Sequence, residues 1–302
     1  MNQKEKRIYL IEKLLAEHPE FTGTEIPSDE MEQRSLLRGL MNIRMPGPVD
    51  REVLRVQDEY LQQVNRERGI VHVSTLKPLR RIDRRRGLMN VESVRRLKET
   101  DAPASDAGSG AAGHTEGDEG FSDHGDMILW RGDITRLDAD AIVNAANSGM
   151  TGCYQPNHSC IDNCIHTYAG MQLRLKCAEI MRRQGTEAKT GRAKITPAYN
   201  LPSSHVIHTV GPIITGWVTK KDRELLASCY RSCLRVAALR GLHSIAFCCI
   251  STGVFHFPNE AAAEIAVREV ERFLELDTSV DRVIFNVFKA EDEEIYRRLL
   301  AE

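Results

Sequence analysis

The sequence predicts an α/β fold in which a central sheet lies between helices, preceded by a small helical region. Three observations predict it: helical periodicity over residues 1–101, alternating strand and helix patterns over residues 126–302, and a composition shift between them. Residues 102–125 are small, polar and acidic, and they bury too little apolar surface to offset their ordering entropy. We therefore expect a helical N-terminal extension, a flexible acidic linker and an α/β domain.

The first region has three helical patterns and one basic stretch. Apolar residues recur at helix spacing over residues 8–15 and 31–41, and a third helix is expected over 50–66. Arginines dominate residues 77–98, where we favour a solvated face or the edge of a packed strand over an anion-binding patch. This half of the chain contains no catalytic constellation.

The second region alternates short runs rich in Val and Ile with helical segments. The expected strands are 127–130, 141–146, 193–199, 205–210, 244–250 and 282–288. The expected helices are 163–183, 222–240, 259–276 and 291–300. This alternation predicts a sheet between two layers of helices, with a ligand in the crevice at the strand ends.

Two thiols and an imidazole lie close together in the loop after the second of these strands. Cys153, His158 and Cys160 form a Cys-x4-His-x-Cys pattern of ligands suited to zinc. A structural zinc normally takes four protein ligands, whereas a catalytic zinc keeps one position open. The pattern therefore predicts one catalytic zinc per chain. The alternative is a structural zinc module completed by Cys164 or His166, with the basic stretch binding nucleic acid.

Polar motifs follow several of the expected strands. Gly132-Asp133-Ile134-Thr135 and Asn144-Ala145-Ala146-Asn147 are, taken singly, compatible with helix caps and turns. Backbone amides around Gly253, with the hydroxyls of Ser251 and Thr252, could cradle a pyrophosphate at the start of a helix, although a single glycine is a weaker signal than a multi-glycine fingerprint. The two histidines His166 and His208 are interpreted as hydrogen-bonded core residues.

Charge and cysteine usage exclude several classes of protein. A formal net charge of -2 argues against an electrostatic nucleic-acid binder. No apolar run approaches the roughly 20 residues of a membrane span, and residues 1–13 lack the apolar core of a secretory signal. The eight cysteines fall mostly inside helices and strands, which is typical of reduced thiols. We therefore expect a cytoplasmic protein without nucleic-acid or membrane partners.

Taken in order, these motifs resemble those of the macrodomain family, over about residues 126–301. The motifs lie at 132–135, 143–147, 161–166, 208–212 and 251–258. The resemblance implies a three-layer α/β/α module with a mixed central sheet that binds ADP-ribose. Where common macrodomains have a glycine-rich loop, residues 152–160 carry the Cys and His residues instead, as in the zinc-containing subfamily of bacteria and fungi. That subfamily often has a helical N-terminal extension, but the long acidic linker departs from its pattern.

The resemblance also implies roles for individual residues. Asp133 would contact the adenine amino group, Ile134 would lie against the ring, and Phe288 would either stack on the adenine or pack in the core. Asn147 would bond the distal ribose, and Asp162 would orient or deprotonate the attacking water. The remaining implied ADP-ribose contacts are Cys160, Ile161, Ser251, Thr252, Gly253, Val254 and Phe255.

The implied activity is zinc-dependent removal of mono-ADP-ribose from modified proteins, by cleavage at the anomeric carbon of the distal ribose. Because no second carboxylate is evident, a metal with one acid is favoured over a carboxylate pair; whether zinc or Asp162 activates the water stays open. The implied partners are a sirtuin-type ADP-ribosyltransferase and an ADP-ribosylated lipoyl-carrier protein resembling the glycine-cleavage H protein. The alternatives are a non-catalytic ADP-ribose reader and an O-acetyl-ADP-ribose deacetylase.

Overall fold

The computed structural model describes residues 1–84, 123–276 and 278–301. Its first elements are the predicted helices α1 (Gln3–Ala16), α2 (Glu30–Ile43) and α3 (Arg51–Glu67). Each begins after a polar N-cap, since Asn2, Asp29 and Asp50 each accept a hydrogen bond from a backbone amide of the first turn. Their apolar faces form one buried cluster that includes Leu10, Leu40 and Tyr60. The three predicted helices are confirmed.

The rest of the described chain forms a mixed sheet between helices, as predicted. The strands are β1 (Arg80–Asp83), β2 (His124–Arg131), β3 (Ala141–Ala145), β4 (Ala193–Pro197), β5 (His205–Thr209), β6 (Ser244–Phe247) and β7 (Arg282–Val287). Their order across the sheet is β1-β2-β7-β6-β3-β5-β4. The five inner strands are parallel, and the edge strands β1 and β4 are antiparallel to their neighbours. The carboxyl ends of the five parallel strands therefore meet at one edge.

Helices cover both faces of the sheet. They are α4 (Ile161–Ala169), α5 (Met171–Gln184), α6 (Lys220–Leu239), α7 (Asn259–Leu274) and α8 (Ala290–Ala301). Helices α6, α7 and α8 pack in a row, while α4 and α5 contact each other and strands β3 and β4. No helix within the described ranges is both long and apolar enough to cross a membrane.

The prediction of one helix over 163–183 is wrong. The chain breaks at Gly170, which adopts a φ of 94° and separates α4 from α5. A Cβ atom there would lie 2.6 Å from Nε2 of Gln57 on α3. The break is thus set by a positive φ and by the close approach of another helix, and both favour glycine.

The N-terminal helices pack directly onto α4 and α5. Arg174 donates from Nη1 to the carbonyl oxygens of Met41 (3.1 Å), Asn42 (2.7 Å) and Arg44 (2.6 Å) at the end of α2. Gln57 of α3 accepts a hydrogen bond from the backbone amide of Met171 at 2.8 Å. Arginine and glutamine side chains therefore join the helical extension to the α/β layers through buried polar contacts.

Two arginines in the described part of the basic stretch contact carboxylates, and Arg84 donates to backbone carbonyls. Arg80 of β1 contacts Glu271 at 2.7 Å, and Arg81 contacts Asp126 at 3.2 Å. This agrees with the predicted strand edge. Residues 85–98 of that stretch and residues 102–122 of the predicted linker lie outside the described residues. Strand β2 begins at His124, two residues before the boundary placed at 126.

Candidate active site

The polar motifs meet at the edge where the parallel strands end. Asp133 follows β2, Asn147 follows β3, Ser251 follows β6 and Phe288 follows β7. Because neighbouring parallel strands place their carboxyl ends side by side, residues distant in sequence become neighbours here. This edge is the candidate active site.

Asp133 lies at one end of the site and is held by two elements. Its Oδ1 accepts hydrogen bonds from the backbone amide (3.0 Å) and hydroxyl (2.6 Å) of Thr135. Its Oδ2 forms an ion pair with Arg68 at 2.5 Å, and the Asp133 side chain keeps 34% of its exposure. The Arg68 guanidinium also lies 3.4 Å from the ring centroid of Tyr168. The Asp133 carboxylate is thus oriented by an arginine just beyond α3 while it still faces solvent.

The two apolar residues assigned to the adenine end differ in exposure. Phe288 is 79% exposed, so the alternative that it packs in the core is wrong. Ile134 is only 1% exposed and belongs to the main hydrophobic core, so its side chain offers little surface to a base. The exposed ring at this end of the site is therefore that of Phe288.

Asp162 lies at the other end, at the start of α4, and is 4% exposed. Its Oδ1 accepts a hydrogen bond from Nδ2 of Asn144 at 2.8 Å, and its Oδ2 accepts one from Nδ2 of Asn147 at 3.2 Å. Burial raises the pKa of Asp162 to about 6, and the Asn144 bond and the charge of Arg174 only partly oppose this. A carboxyl of this kind can accept or hold a proton near neutral pH.

The hydrogen-bond partners of His208 determine which of its ring nitrogens carries the proton. The Asn144 amide nitrogen has two hydrogens, and after donating to Asp162 it donates the second to Nδ1 of His208 at 3.1 Å. Nδ1 must therefore be the acceptor, and Nε2 carries the proton that faces the Thr196 hydroxyl at 3.0 Å. Burial lowers the pKa of His208 to about 3, which keeps the ring neutral. His208 thus orients Asn144, and Asn144 orients Asp162.

The predicted metal ligands come together in the loop formed by residues 152–160, which we call the metal-binding loop. Donor atoms of Cys153, His158 and Cys160 all lie within 4.8 Å of one another, and all three side chains are half-buried. The Cys153 sulfur is 3.7 Å from Nδ1 of His158, and neither cysteine is in a disulfide. Two thiols and an imidazole at this spacing fit a zinc ion.

No fourth ligand joins that group within the described residues. The Cys164 sulfur is instead 3.7 Å from Arg38, and His166 belongs to a second group with Cys177 and His208. In that second group all three side chains are buried, and His208 has hydrogen-bond partners at both nitrogens. These contacts argue against the structural zinc module with four ligands.

The phosphate-site candidate is the turn that follows β6. Ser251 adopts a φ of 67° and its carbonyl accepts a hydrogen bond from the backbone amide of Phe257 at 3.0 Å, which closes the turn. The Ser251 hydroxyl is buried and has no hydrogen-bond partner among the described residues. Gly253 has open space around it, and Val254 is 63% exposed. A turn with an unpartnered buried hydroxyl and open space around its glycine suits an anionic ligand.

Comparison with known proteins agrees with this arrangement. A family model described as "Macro domain" matches residues 143–266. The protein-ADP-ribose hydrolase of Treponema medium is 51% identical over 301 residues, which cover 100% of both chains. This chain belongs to the macrodomain family.

Two further proteins resemble this chain over part or most of its length. A probable bifunctional ADP-ribose hydrolase/ADP-ribosyltransferase of Fusarium oxysporum f. sp. cubense is 46% identical over 192 residues, covering 59% of this chain and 32% of that protein. The crystal structure of the Trypanosoma brucei macrodomain in complex with ADP-ribose superposes with a TM-score of 0.56 at 27% identity. That match covers 87% of this chain and 94% of the trypanosomal one.

Several residues of this macrodomain site were missed by the sequence interpretation. Asn144 lay within a noted motif, but its bonds to Asp162 and His208 gave no sequence signal. Arg38 and Arg68 come from the N-terminal helical region, where no catalytic residues were expected. Contacts across more than 60 residues of chain have no local periodicity or spacing by which to recognise them.

Proposed function

We propose that this macrodomain is a zinc-dependent protein-ADP-ribose hydrolase that cleaves the bond at the anomeric carbon of the distal ribose. The observation that carries the proposal is the placement of one buried carboxyl beside a three-donor metal loop. Asp162 follows Cys160 by two residues, and Asn147 bonds both Asp162 (3.2 Å) and the carbonyl of Gly152 (3.1 Å) in the metal-binding loop. The name of the Treponema medium relative supports the hydrolase assignment.

Different residues along the site would bind the adenine and the phosphates of ADP-ribose. Asp133, oriented by Arg68, would accept from the adenine amino group, and Phe288 would stack on the base. The turn at residues 251–255 would bind the two phosphates through backbone amides and the Ser251 hydroxyl.

The reacting end of the substrate would lie at Asn147 and Asp162. Asn147 would bond the distal ribose, while Asp162 would orient or deprotonate the attacking water. Cys153, His158 and Cys160 would hold zinc, which would supply Lewis-acid chemistry at a ribose oxygen or at water. A buried carboxyl with a raised pKa is suited to proton transfer at near-neutral pH.

The proposed partners follow from the resemblance and from one relative. The name of the Fusarium relative joins a hydrolase and an ADP-ribosyltransferase in one protein, which supports a functional pairing with an ADP-ribosyltransferase. The sirtuin type of that transferase is proposed from the resemblance alone. A lipoyl-carrier protein bearing ADP-ribose is the proposed substrate. All eight cysteines are free thiols, which supports the proposed cytoplasmic location.

The test is turnover of a mono-ADP-ribosylated carrier protein by zinc-loaded and metal-free protein, alongside ADP-ribose affinity by calorimetry. Cys160→Ala should lose zinc and turnover but remain folded. Asp162→Ala should reduce turnover by about 100-fold or more and affinity far less, because it removes proton transfer rather than a base or phosphate contact.

Three results would contradict parts of this proposal. Full-rate turnover by the metal-free protein would remove zinc from the reaction. Tight binding without turnover would make the protein an ADP-ribose reader. Turnover of O-acetyl-ADP-ribose alone would make it a deacetylase.

A further inference from the structure

Helix α2 of the N-terminal region reaches the metal-binding loop through Arg38. The Arg38 Nη2 atom donates to the carbonyl oxygen of His158 at 2.7 Å and to Oδ1 of Asn163 at 3.0 Å. The first acceptor is the backbone of a predicted metal ligand. A guanidinium donating to two acceptors at once fixes their relative position, because its donor directions are rigid.

Asn163, which Arg38 orients, is in turn bonded to much of the loop. Its Nδ2 donates to the carbonyl oxygens of Gln155 at 2.9 Å and Cys153 at 3.4 Å. Its backbone amide donates to the sulfur of Cys160 at 3.4 Å. A single residue oriented from α2 is therefore linked to all three ligand residues: through Arg38 to His158, and directly to both cysteines.

A second residue of α2 holds the middle of the loop. The backbone amide of Asn157 donates to Oδ1 of Asn42 at 3.0 Å, and Nδ2 of Asn42 donates to Thr167 on α4 at 3.1 Å. Asn157 has a φ of 55°, a left-handed conformation that needs support from neighbouring groups. Asn42 is 1% exposed, so these bonds are shielded from water.

We propose that Arg38 and Asn42 are positioning residues that preorganise the metal-binding loop for a divalent cation. The loop contains no helix or strand, so its shape depends on side-chain bonds such as these. Groups around metal ligands typically contribute about 10–100-fold to metal affinity by fixing ligand orientation. The N-terminal helices thus form part of the metal site. This inference rests on zinc as the bound metal in the proposed function.

The experiment measures zinc affinity by competition with a chelator, using the full chain. Arg38→Met keeps the aliphatic stem and removes the donors, and we expect zinc to bind about 10–100-fold more weakly. Asn42→Ala should also weaken zinc binding. The matched control is Arg34→Met, one turn earlier on α2, since Arg34 forms ion pairs with Glu30 and Glu67 rather than with the metal-binding loop. Without metal, the variants should bind ADP-ribose with the same affinity as the metal-free wild type.

The outcomes separate this inference from the proposed function. Wild-type zinc affinity in Arg38→Met would overturn the inference and leave the hydrolase proposal intact. If the wild type binds zinc but does not hydrolyse the substrate, the hydrolase proposal is wrong and the inference about Arg38 is unaffected. Arg38→Lys retains the charge and a single donor nitrogen, and it should restore part of the affinity. If both Arg38 variants lose ADP-ribose binding along with zinc, the arginine has a general folding role and the inference is wrong.

Discussion

Replacing Gly211 by alanine tests how tightly the phosphate-site turn is packed. Gly211 follows β5, and a Cβ atom there would lie 2.0 Å from the Ser251 hydroxyl oxygen and 2.9 Å from Cγ2 of Ile250. Since ordinary contacts are about 3.5 Å or more, Ser251 would have to move by more than about 1 Å. The backbone of Gly211 lies outside the positive-φ region, so alanine adds only this steric clash.

The expected effects are a loss of stability and a larger loss of ligand affinity. Overpacking a buried site costs about 1–3 kcal/mol, which urea denaturation would report as a lower midpoint with an unchanged slope. A displacement of about 1 Å at a binding group can cost about 100-fold, so we expect ADP-ribose affinity to fall by about 10–100-fold. Calorimetry of ADP-ribose binding measures the second effect.

The matched control is Gly216→Ala, in the chain segment that follows Gly211. A Cβ atom at Gly216 would meet no other atom within 4 Å, so neither stability nor affinity should change measurably. If Gly211→Ala binds ADP-ribose as tightly as the control does, Ser251 does not belong to the phosphate site.

Two further predictions concern Arg68 and His208. Arg68→Met removes the ion pair to Asp133, so calorimetry should show weaker binding of ADP-ribose. The ratio of the affinity for ADP-ribose to the affinity for its hypoxanthine analogue should also fall. An unchanged ratio would show that Asp133 does not recognise adenine. For His208, burial lowers the folded-state pKa to about 3 while the unfolded value stays near 6.5, so stability falls by about 1.4 kcal/mol per pH unit as pH drops below 6.5. His208→Asn should lower that slope by up to about 1.4 kcal/mol per pH unit in urea denaturation between pH 7 and 5. Burial also lowers the pKa of His166 and raises that of Asp162 in both proteins, so the difference between the two slopes reports His208; equal slopes would refute the neutral-histidine assignment.

Local chemistry made much of the site predictable from sequence. Cys153, His158 and Cys160 lie within eight residues, so a single loop is enough to bring their donor atoms together, as the structure shows. Asp133 and Asn147 could be placed at strand ends because apolar runs mark parallel strands, whose carboxyl ends share one edge. The helices of the N-terminal region were likewise predictable, since their apolar residues recur at helix spacing.

The break at Gly170 was not predictable from periodicity, because the apolar pattern continues through it. Only the approach of Gln57 from another helix, together with the positive φ, explains why the chain turns there. The burial of Ile134 was likewise not predicted, since the family resemblance implied a ligand contact for a side chain that lies in the core.

The sequence alone determined where most of the helices and strands lie and that Cys153, His158 and Cys160 share one short loop, because residue type and short-range spacing encode both. The tertiary structure decided what surrounds those groups. It brought Arg38 and Arg68 from the helical region into contact with Asn163 and Asp133, and it linked His208 through Asn144 to Asp162. Three of these contacts join residues 64 to 125 positions apart, and the Asn144–Asp162 bond joins a strand to a helix, so they exist only once the layers have packed.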